Sequence, residues 1–355
     1  MRTLSRNRRW LVEATLGASL ASVAVVAASA YALINGRPAT HEQVIGLLVN
    51  IILAVSLQVF SGNSGLLSFG HMTFVGIGAY VSAFLTLDPS VKESFSHLPE
   101  SVLVIQFPFL PAVILAAAVT GFIAYLIGVP IFKLSGPSAV IAIFALVLAA
   151  NVVFNGWTDI TRGSGGLYGI PKETTLLRAM GFAVFTILVA RSFRDSSAGL
   201  QLRASSNDEL AAASVGVRVR RMRLQAWWLS AVMSAVAGAL IAHQLTAFSP
   251  TNFFILPAFS VVTMLIIGGR TTVSGAVIGA TSVTLIQEVL RPLENRGMAL
   301  GPLNIERFTG LTQLALVLTI LAAMYFRREG LTGRREIDES LTFALRSRRT
   351  GEQGN

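Results

Sequence analysis

The sequence predicts an all-α, polytopic membrane protein of about ten transmembrane helices with both termini cytoplasmic. Three observations predict this. The 355 residues are 53% hydrophobic and only 13% charged, whereas ordinary globular chains carry about 25% charged residues, so the apolar excess must face lipid. Long apolar runs recur along the chain, separated by Gly-, Pro- and polar-rich breaks. The basic residues sit beside these runs and gather on alternate connections, as the positive-inside rule requires.

Residues 1–10 hold Arg2, Arg6, Arg8 and Arg9 and predict a basic cytoplasmic arm. The apolar run Leu11–Ile34 follows. It outruns the h-region of a signal peptide, about 7–15 residues, and predicts a first span; cleavage after Ala28-Ser29-Ala30 is the alternative. Further spans are predicted at Gln43–Phe60, Leu66–Leu87, Phe109–Phe132, Ser138–Phe154 and Thr174–Phe193. The last of these carries Arg178 and Arg191 near its ends, where long side chains reach the interface. After a polar loop at 194–223 come Leu224–Thr246, Phe254–Ile267, Ser274–Leu290 and Phe308–Phe326. Together, 11–326 form the transmembrane domain, and 327–355 a basic tail expected to be cytoplasmic and partly disordered. With the N-terminus inside, the arginine arm, Ser61–Gly65, Lys133, the 194–223 loop, Arg270 and the arginine tail all fall on one side.

Several function classes drop out. The net charge of +10 forms no basic stripe with interleaved aromatics, so nucleic acid is not an expected partner, whereas membrane lipid is. There is no cysteine, and the histidines at 41, 71, 97 and 243 have no metal-ligand spacing, so no metal site is expected. The only lysines, Lys92, Lys133 and Lys172, have no P-loop context; the chain is not expected to hydrolyse ATP, to be an enzyme or to carry a cofactor. Glu13 and Glu288, near span ends, suit a proton relay or simply the interface.

Four polar or Gly-rich stretches interrupt the pattern. Within Arg203–Arg223, Ser206 and Glu209 have capping-box spacing, Asn207 and Asp208 lie between them, and Asp208 and Glu209 suit the positive end of a helix dipole. Gly216 suits a left-handed helix end. The expected helix, about two to three turns, is too short to stand alone and must be held for contact with a partner. The second stretch is Gly65-x-x-Ser68-x-Gly70-His71-x-x-Phe74-x-Gly76-x-Gly78. Its glycines suit a broken or closely packed helix, and Asn63, Ser68 and His71 at membrane depth, with Phe74 beside them, suit a solute path. The third, Gly268-Gly269-Arg270-Thr-Thr-Val-Ser274-Gly275-x-x-x-Gly279, contains a G-x-x-x-G pair suited to helix contact. Interrupted helices in both halves of a chain point to a midplane transport site, so Ser68 and Ser274 are expected to face each other across the path. The fourth, Asp159-x-x-Arg162-Gly163-Ser-Gly-Gly166-Leu-x-Gly169-Ile-Pro171, suits a tight external loop or a contact for a binding protein.

These stretches carry a family resemblance. The run Arg203-Ala-x-x-x-x-Glu209-x-Ala-Ala212-x-x-x-Gly216-Val resembles the cytoplasmic coupling loop of ATP-binding-cassette (ABC) importer permeases of the branched-chain amino-acid (Liv) type. The 65–80 segment is similar to that family's G-x-x-S-x-G-H-x-x-F-x-G-x-G-A-Y signature. The 268–280 segment is similar to G-G-x-G-[ST]-x-x-G-P-x-x-G-A, but Thr271 replaces a Gly and Ala276 the Pro, so a sharp backbone break is less assured. The 162–171 loop is similar to T-G-G-S-x-G-L-x-G-I-P, with Arg162 in place of the first Gly. The resemblance spans Gln43 to Phe326, with the four regions in family order. It implies an inner-membrane permease for branched-chain or other amino acids, paired with a homologous second permease. It further implies ATPase subunits, carrying ATP and Mg, that dock on Ser206, Asn207, Asp208, Glu209, Ala212 and Gly216, and an extracytoplasmic substrate-binding protein. Similar permeases handle urea and short amides. An ATP-independent channel or secondary transporter is the alternative of another class, but would not need a capped cytoplasmic helix.

Overall fold

A computed structural model describes residues 22–23, 25–93, 95, 105–134, 136–296, 298–300, 303–305, 310–326, 329–333 and 336. The arginine arm, Glu13 and the first part of the first predicted span lie outside the described residues, as does most of the tail.

Twelve helices organise what is described. They are α1 (Val25–Asn35), α2 (Pro38–Leu57), α3 (His71–Thr86), α4 (Phe109–Ile131), α5 (Pro137–Gly156), α6 (Leu176–Asp195), α7 (Ser197–Ser205), α8 (Glu209–Ser214), α9 (Val219–Leu245), α10 (Ile255–Gly268), α11 (Val273–Arg296) and α12 (Leu311–Phe326). Single turns stand at Pro89–Lys92 and Thr158–Thr161. Seven helical runs among the described residues, including Pro38–Gly62, Pro250–Gly268 and Val273–Glu294, are long and apolar enough to cross a membrane. Three shorter apolar helices occupy the other predicted spans. The molecule is therefore a polytopic helical membrane protein.

Burial separates inner from outer helices. The α2 run is 83% buried and the α9 window 61%, whereas α5 is only 22% buried. Polar groups in the bilayer must be satisfied within the protein, so the helices carrying serines, histidines and amides belong inside. Helix α9 lies against α2, α3 and α4. Its contact with α3 is backbone to backbone: a Cβ on Gly238 would lie 2.0 Å from the Val75 carbonyl oxygen, and one on Gly78 would lie 2.4 Å from that of Ala235. Trp227 of α9 is fully buried, stacks edge-on against Phe60 and Phe74, and donates its indole N–H to Ala124 of α4 at 3.0 Å. Helices α10 and α11 approach just as closely, since a Cβ on Gly268 would lie 1.9 Å from the Gly275 carbonyl and one on Gly279 would lie 1.9 Å from that of Met264.

Helix α9 begins five residues before the expected Leu224 and α11 runs six past the expected Leu290, and three further differences from the sequence expectation bear on the site. The second span begins at Pro38, whose fixed φ suits a first helical turn, and continues past Phe60 as a π-helical turn, Gln58–Gly62. The third predicted span opens at Leu66, but Gly65–Ser68 has no regular structure and α3 starts only at His71. Continuous hydropathy conceals this break, because Leu66, Leu67 and Phe69 are apolar whether or not they are helical. The tail is the third: residues 329–333 and 336 pack on the ends of α10 and α11, with Leu331 N–H on Ile267 O at 2.9 Å and Thr332 N–H on Gly268 O at 3.1 Å.

Short antiparallel pairings close the opposite end. Leu167–Tyr168 pairs with Ala247–Phe248, tying the fourth Gly-rich stretch to the end of α9. There the Arg162 guanidinium lies 4.4 Å from the ring centres of both Phe95 and Tyr168. Met298–Leu300 pairs with Leu303–Ile305.

Candidate translocation and coupling sites

The coupling segment is two short helices and a turn. Helix α7 is capped by Ser196, whose hydroxyl accepts from Gly199 N–H at 3.2 Å. Ser206 ends α7, its hydroxyl donating to Arg203 O at 2.7 Å. The capping box expected between Ser206 and Glu209 is therefore not formed. Asp208 caps α8 instead, accepting from Ala211 N–H at 2.9 Å. At six residues α8 is shorter than expected. Gly216, at φ +88°, ends it: Gly216 N–H bonds Ala213 O at 3.0 Å and Val217 N–H bonds Ala212 O at 3.1 Å, which is a Schellman closure.

Glu209, freed from capping, accepts two hydrogen bonds from Arg223 at 2.9 Å each. This fork fastens α8 to the first turns of α9. Arg223 is mostly buried while Glu209 is 42% exposed, so the pair belongs to the fold as well as to the surface. Leu210 and Val215 project outward at 84% and 79% exposure, and Asn207 is exposed beside them. Ala212 is buried beneath. A Cβ on Gly65 would lie 3.1 Å from that of Ser206, so the break before α3 rests on the coupling segment.

The second stretch builds a buried polar chain. Ser68 Oγ lies 2.7 Å from His71 Nδ1, and His71 Nε2 bonds the Ser230 hydroxyl. Ser230 donates its only proton to Ser56 O, so Nε2 must be the protonated ring nitrogen and Ser68 the donor to Nδ1. Ser234 continues the chain, 3.0 Å from Ser56 Oγ. Phe74 stands edge-on to His71. The adjoining cavity measures only about 10 Å³, room for a single water. The structure thus brings Ser68, His71 and Phe74 together as a packed network. Asn63 is fully buried at the end of the π turn, with its amide donating to Val59 O at 2.8 Å.

Ser274 lies elsewhere. Its hydroxyl donates to Glu336 Oε2 at 2.6 Å, and its N–H and that of Val273 bond the same carboxylate at 3.1 and 2.8 Å. Glu336 thus occupies the N-terminus of α11, where backbone donors and helix dipole favour an anion. Arg191 and Arg194 of α6 stand 3.2 and 3.1 Å from it, and Asp195 joins both arginines. Burial pushes the Glu336 pKa upward, but the two arginines, the Ser274 hydroxyl and the Val273 N–H outweigh it and hold the carboxyl below the usual glutamate value. Sequence reasoning missed Glu336: one of several acidic residues scattered through a basic tail, it carries no local signal that sets it apart. The interrupted segments do meet, but as backbone, since a Cβ on Gly62 would lie 2.1 Å from Arg270 O. Gly269, at φ +118°, turns the chain there, and Gly70 and Gly76 pack on Ile143 and Phe154.

Three wider spaces remain among the described residues, one of them, about 480 Å³, lined by Phe109, Leu110, Glu173, Arg178 and Phe182. A groove of about 630 Å³ at the start of α9 is lined by Tyr125, Phe193, Arg221 and Trp228. A cleft of about 340 Å³ lies among α2, α10, α11 and α12.

A multi-pass helical bundle with a capped surface helix and polar side chains inside its spans is the architecture of a membrane permease subunit. A family model described as "Branched-chain amino acid transport system / permease component" matches residues 47–324, and the chain belongs to that family. Its members are non-catalytic transmembrane subunits that carry no cofactor. The chain is 25% identical over 285 residues to the high-affinity branched-chain amino acid transport system permease protein LivM of Escherichia coli K12, covering 71% of this chain and 63% of that protein. It thus spans less than two thirds of the length of that relative. It is 23% identical over 305 residues to the probable branched-chain amino acid transport permease protein LivH of Methanocaldococcus jannaschii, covering 80% and 88%. It is 24% identical over 244 residues to the ribose import permease protein RbsC of Haemophilus influenzae, covering 63% and 72%. No solved structure matches the chain.

Proposed function

We propose that this chain is the membrane subunit of an ATP-driven ABC importer for a small net-neutral solute, an amino acid first among them. It crosses the bacterial inner membrane ten times with both termini inside. It pairs with a homologous permease, carries ATPase subunits on the 194–223 loop and receives solute from an extracytoplasmic binding protein. The observation that carries this reading is α8, which is capped by Asp208, closed by Gly216, clamped through Glu209 and Arg223, and yet presents Leu210 and Val215 to solvent. Exposing two large apolar side chains on a rigidly held helix has no folding benefit and suits a protein groove.

Ser206, Asn207, Asp208, Glu209, Ala212 and Gly216 form this coupling element, with Leu210 and Val215 as its contact points. Force on α8 passes to α9 through Arg223 and to the 61–70 break through Ser206 and Gly65. Asn63, Ser68, His71 and Phe74 then act as the firm wall of the moving segment, and Ser274 fixes the base of α11.

The test is affinity purification of the membrane complex with Leu210→Asp, which leaves the Glu209–Arg223 fork intact. Loss of a co-purifying ATPase subunit from the variant, with the permease still folded, supports the reading. Unchanged recovery, or solute uptake into vesicles without ATP, favours a channel or secondary transporter. Likeness to both amino-acid and ribose permeases makes uptake of amino acids, ribose, urea and short amides the assay for substrate.

A further inference from the structure

We propose that the cleft among α2, α10, α11 and α12 is this subunit's solute-binding site, open toward the outer face and selective for small net-neutral solutes. This rests on the importer reading for its direction of transport but on its own geometry for its place. Asn50 is the middle residue of the helical run Pro38–Gly62, and it bonds Thr284 at the middle of Val273–Glu294, with Asn50 Nδ2 donating to Thr284 Oγ1 at 3.0 Å. Ser260, beside the middle of Pro250–Gly268, accepts from Gln287 Nε2 at 2.9 Å. Two amide–hydroxyl pairs therefore stand at mid-depth on three helices, where polar side chains are costly unless they face protein or a water-filled path.

Asn50, Ser260 and Gln287 line the cleft, and Asn252, Thr312 and Gln313 continue the polar lining toward its outer end. Each mid-depth amide uses its NH2 on one hydroxyl and leaves its carbonyl oxygen without a protein partner among the described residues. Those oxygens suit an N–H or ammonium donor. Among the described residues no charged side chain lines the cleft itself, Glu294 reaching its outer end only through the Thr312 hydroxyl, and Leu53, Met72 and Leu316 supply an apolar wall. A solute with a net charge would enter without a charged partner in the lining, which desolvation strongly disfavours, so only a balanced or uncharged one is accommodated. The volume, about 340 Å³, lies at the small end of ligand pockets. Toward the inner face, the Gly62–Arg270 backbone contact leaves no comparable opening between α2 and the α10–α11 turn.

The cysteine-free chain allows a direct test. Ser260→Cys and, as a lipid-facing control, Phe185→Cys are introduced singly, and the assembled complex in right-side-out vesicles is treated with a charged, membrane-impermeant thiosulfonate. Ser260→Cys is expected to react at least about tenfold faster than Phe185→Cys, which lies 61% exposed on α6. Leucine, urea, ribose, lysine and glutamate are then added separately. Protection by at least one of the first three, and by neither of the last two, is expected. Equal, slow labelling of both cysteines would mean that lipid or the second permease fills the cleft, and would overturn the proposal. So would labelling that no net-neutral probe slows, or that lysine or glutamate slows. Gln287→Leu is expected to raise the uptake KM about tenfold, the loss of one good polar contact, with complex recovery unchanged. If protection holds while uptake proves independent of ATP, the cleft stands and the importer reading falls.

Discussion

Single residues hold the two halves of this molecule in register, and their partners fix what each substitution should do. Ser230 bridges His71 on α3 to the Ser56 carbonyl on α2. Ser230→Ala removes that bridge and leaves His71 Nε2–H buried without its acceptor, so it should cost about 1–3 kcal/mol, read as lower thermal stability of the purified protein. Gly238 admits no side chain against the Val75 carbonyl. Gly238→Ala should force α3 and α9 apart at a cost of about 1–3 kcal/mol, visible in the same melt. The residue types in these networks were legible in the sequence, because Ser and His inside apolar spans are conspicuous. Their pairings were not: Ser68 and Ser274 look alike in sequence, yet one serves a histidine and the other a carboxylate 62 residues downstream.

At the scale of elements, hydropathy located nearly every helix and misjudged how helices begin and end. The break before α3 escaped because apolar side chains do not report backbone conformation, and the π turn escaped because Gln58–Gly62 has no sequence signature. The coupling helix was legible, but its cap was shifted from Ser206 to Asp208, since Ser206 was already engaged in ending α7. That shift changes the experiment of choice. Glu209→Ala should destabilise the loop by about 1–2 kcal/mol, less than a fully buried pair would lose because Glu209 is 42% exposed, and should accelerate amide exchange in α8. Gly216→Val should strain the left-handed turn by about 1–2 kcal/mol and fray the same helix.

For the whole molecule, the burial of α2 and α9 and the closely packed glycine contacts give a rigid inner bundle, while the end of α6, the start of α11 and the tail are joined by a few charges. Glu336 is the acidic member contributed by the tail, and its lowered pKa sets a sign. Its contribution is complete above the ordinary glutamate pKa, about 4.3, and is lost as pH falls through the lower folded value. The tail should therefore resist protease at neutral pH and become cleavable near residue 336 only under strong acid. Glu336→Gln should make it cleavable at neutral pH. No hydropathy window could have revealed this contact, which joins residues 191, 194, 274 and 336 across three elements.

The Glu336 contact also bears on how the protein is made. Every candidate span among the described residues lies upstream of it, so Glu336 can close on α6 and α11 only after those helices have been made. The end of α6, from which the coupling segment departs, gains the Glu336 carboxylate only after α12 has been synthesised. A chain cut short after Phe326 would still present α8 on the membrane surface, but on a looser footing, and assembly with partner subunits would then favour chains that carry Glu336.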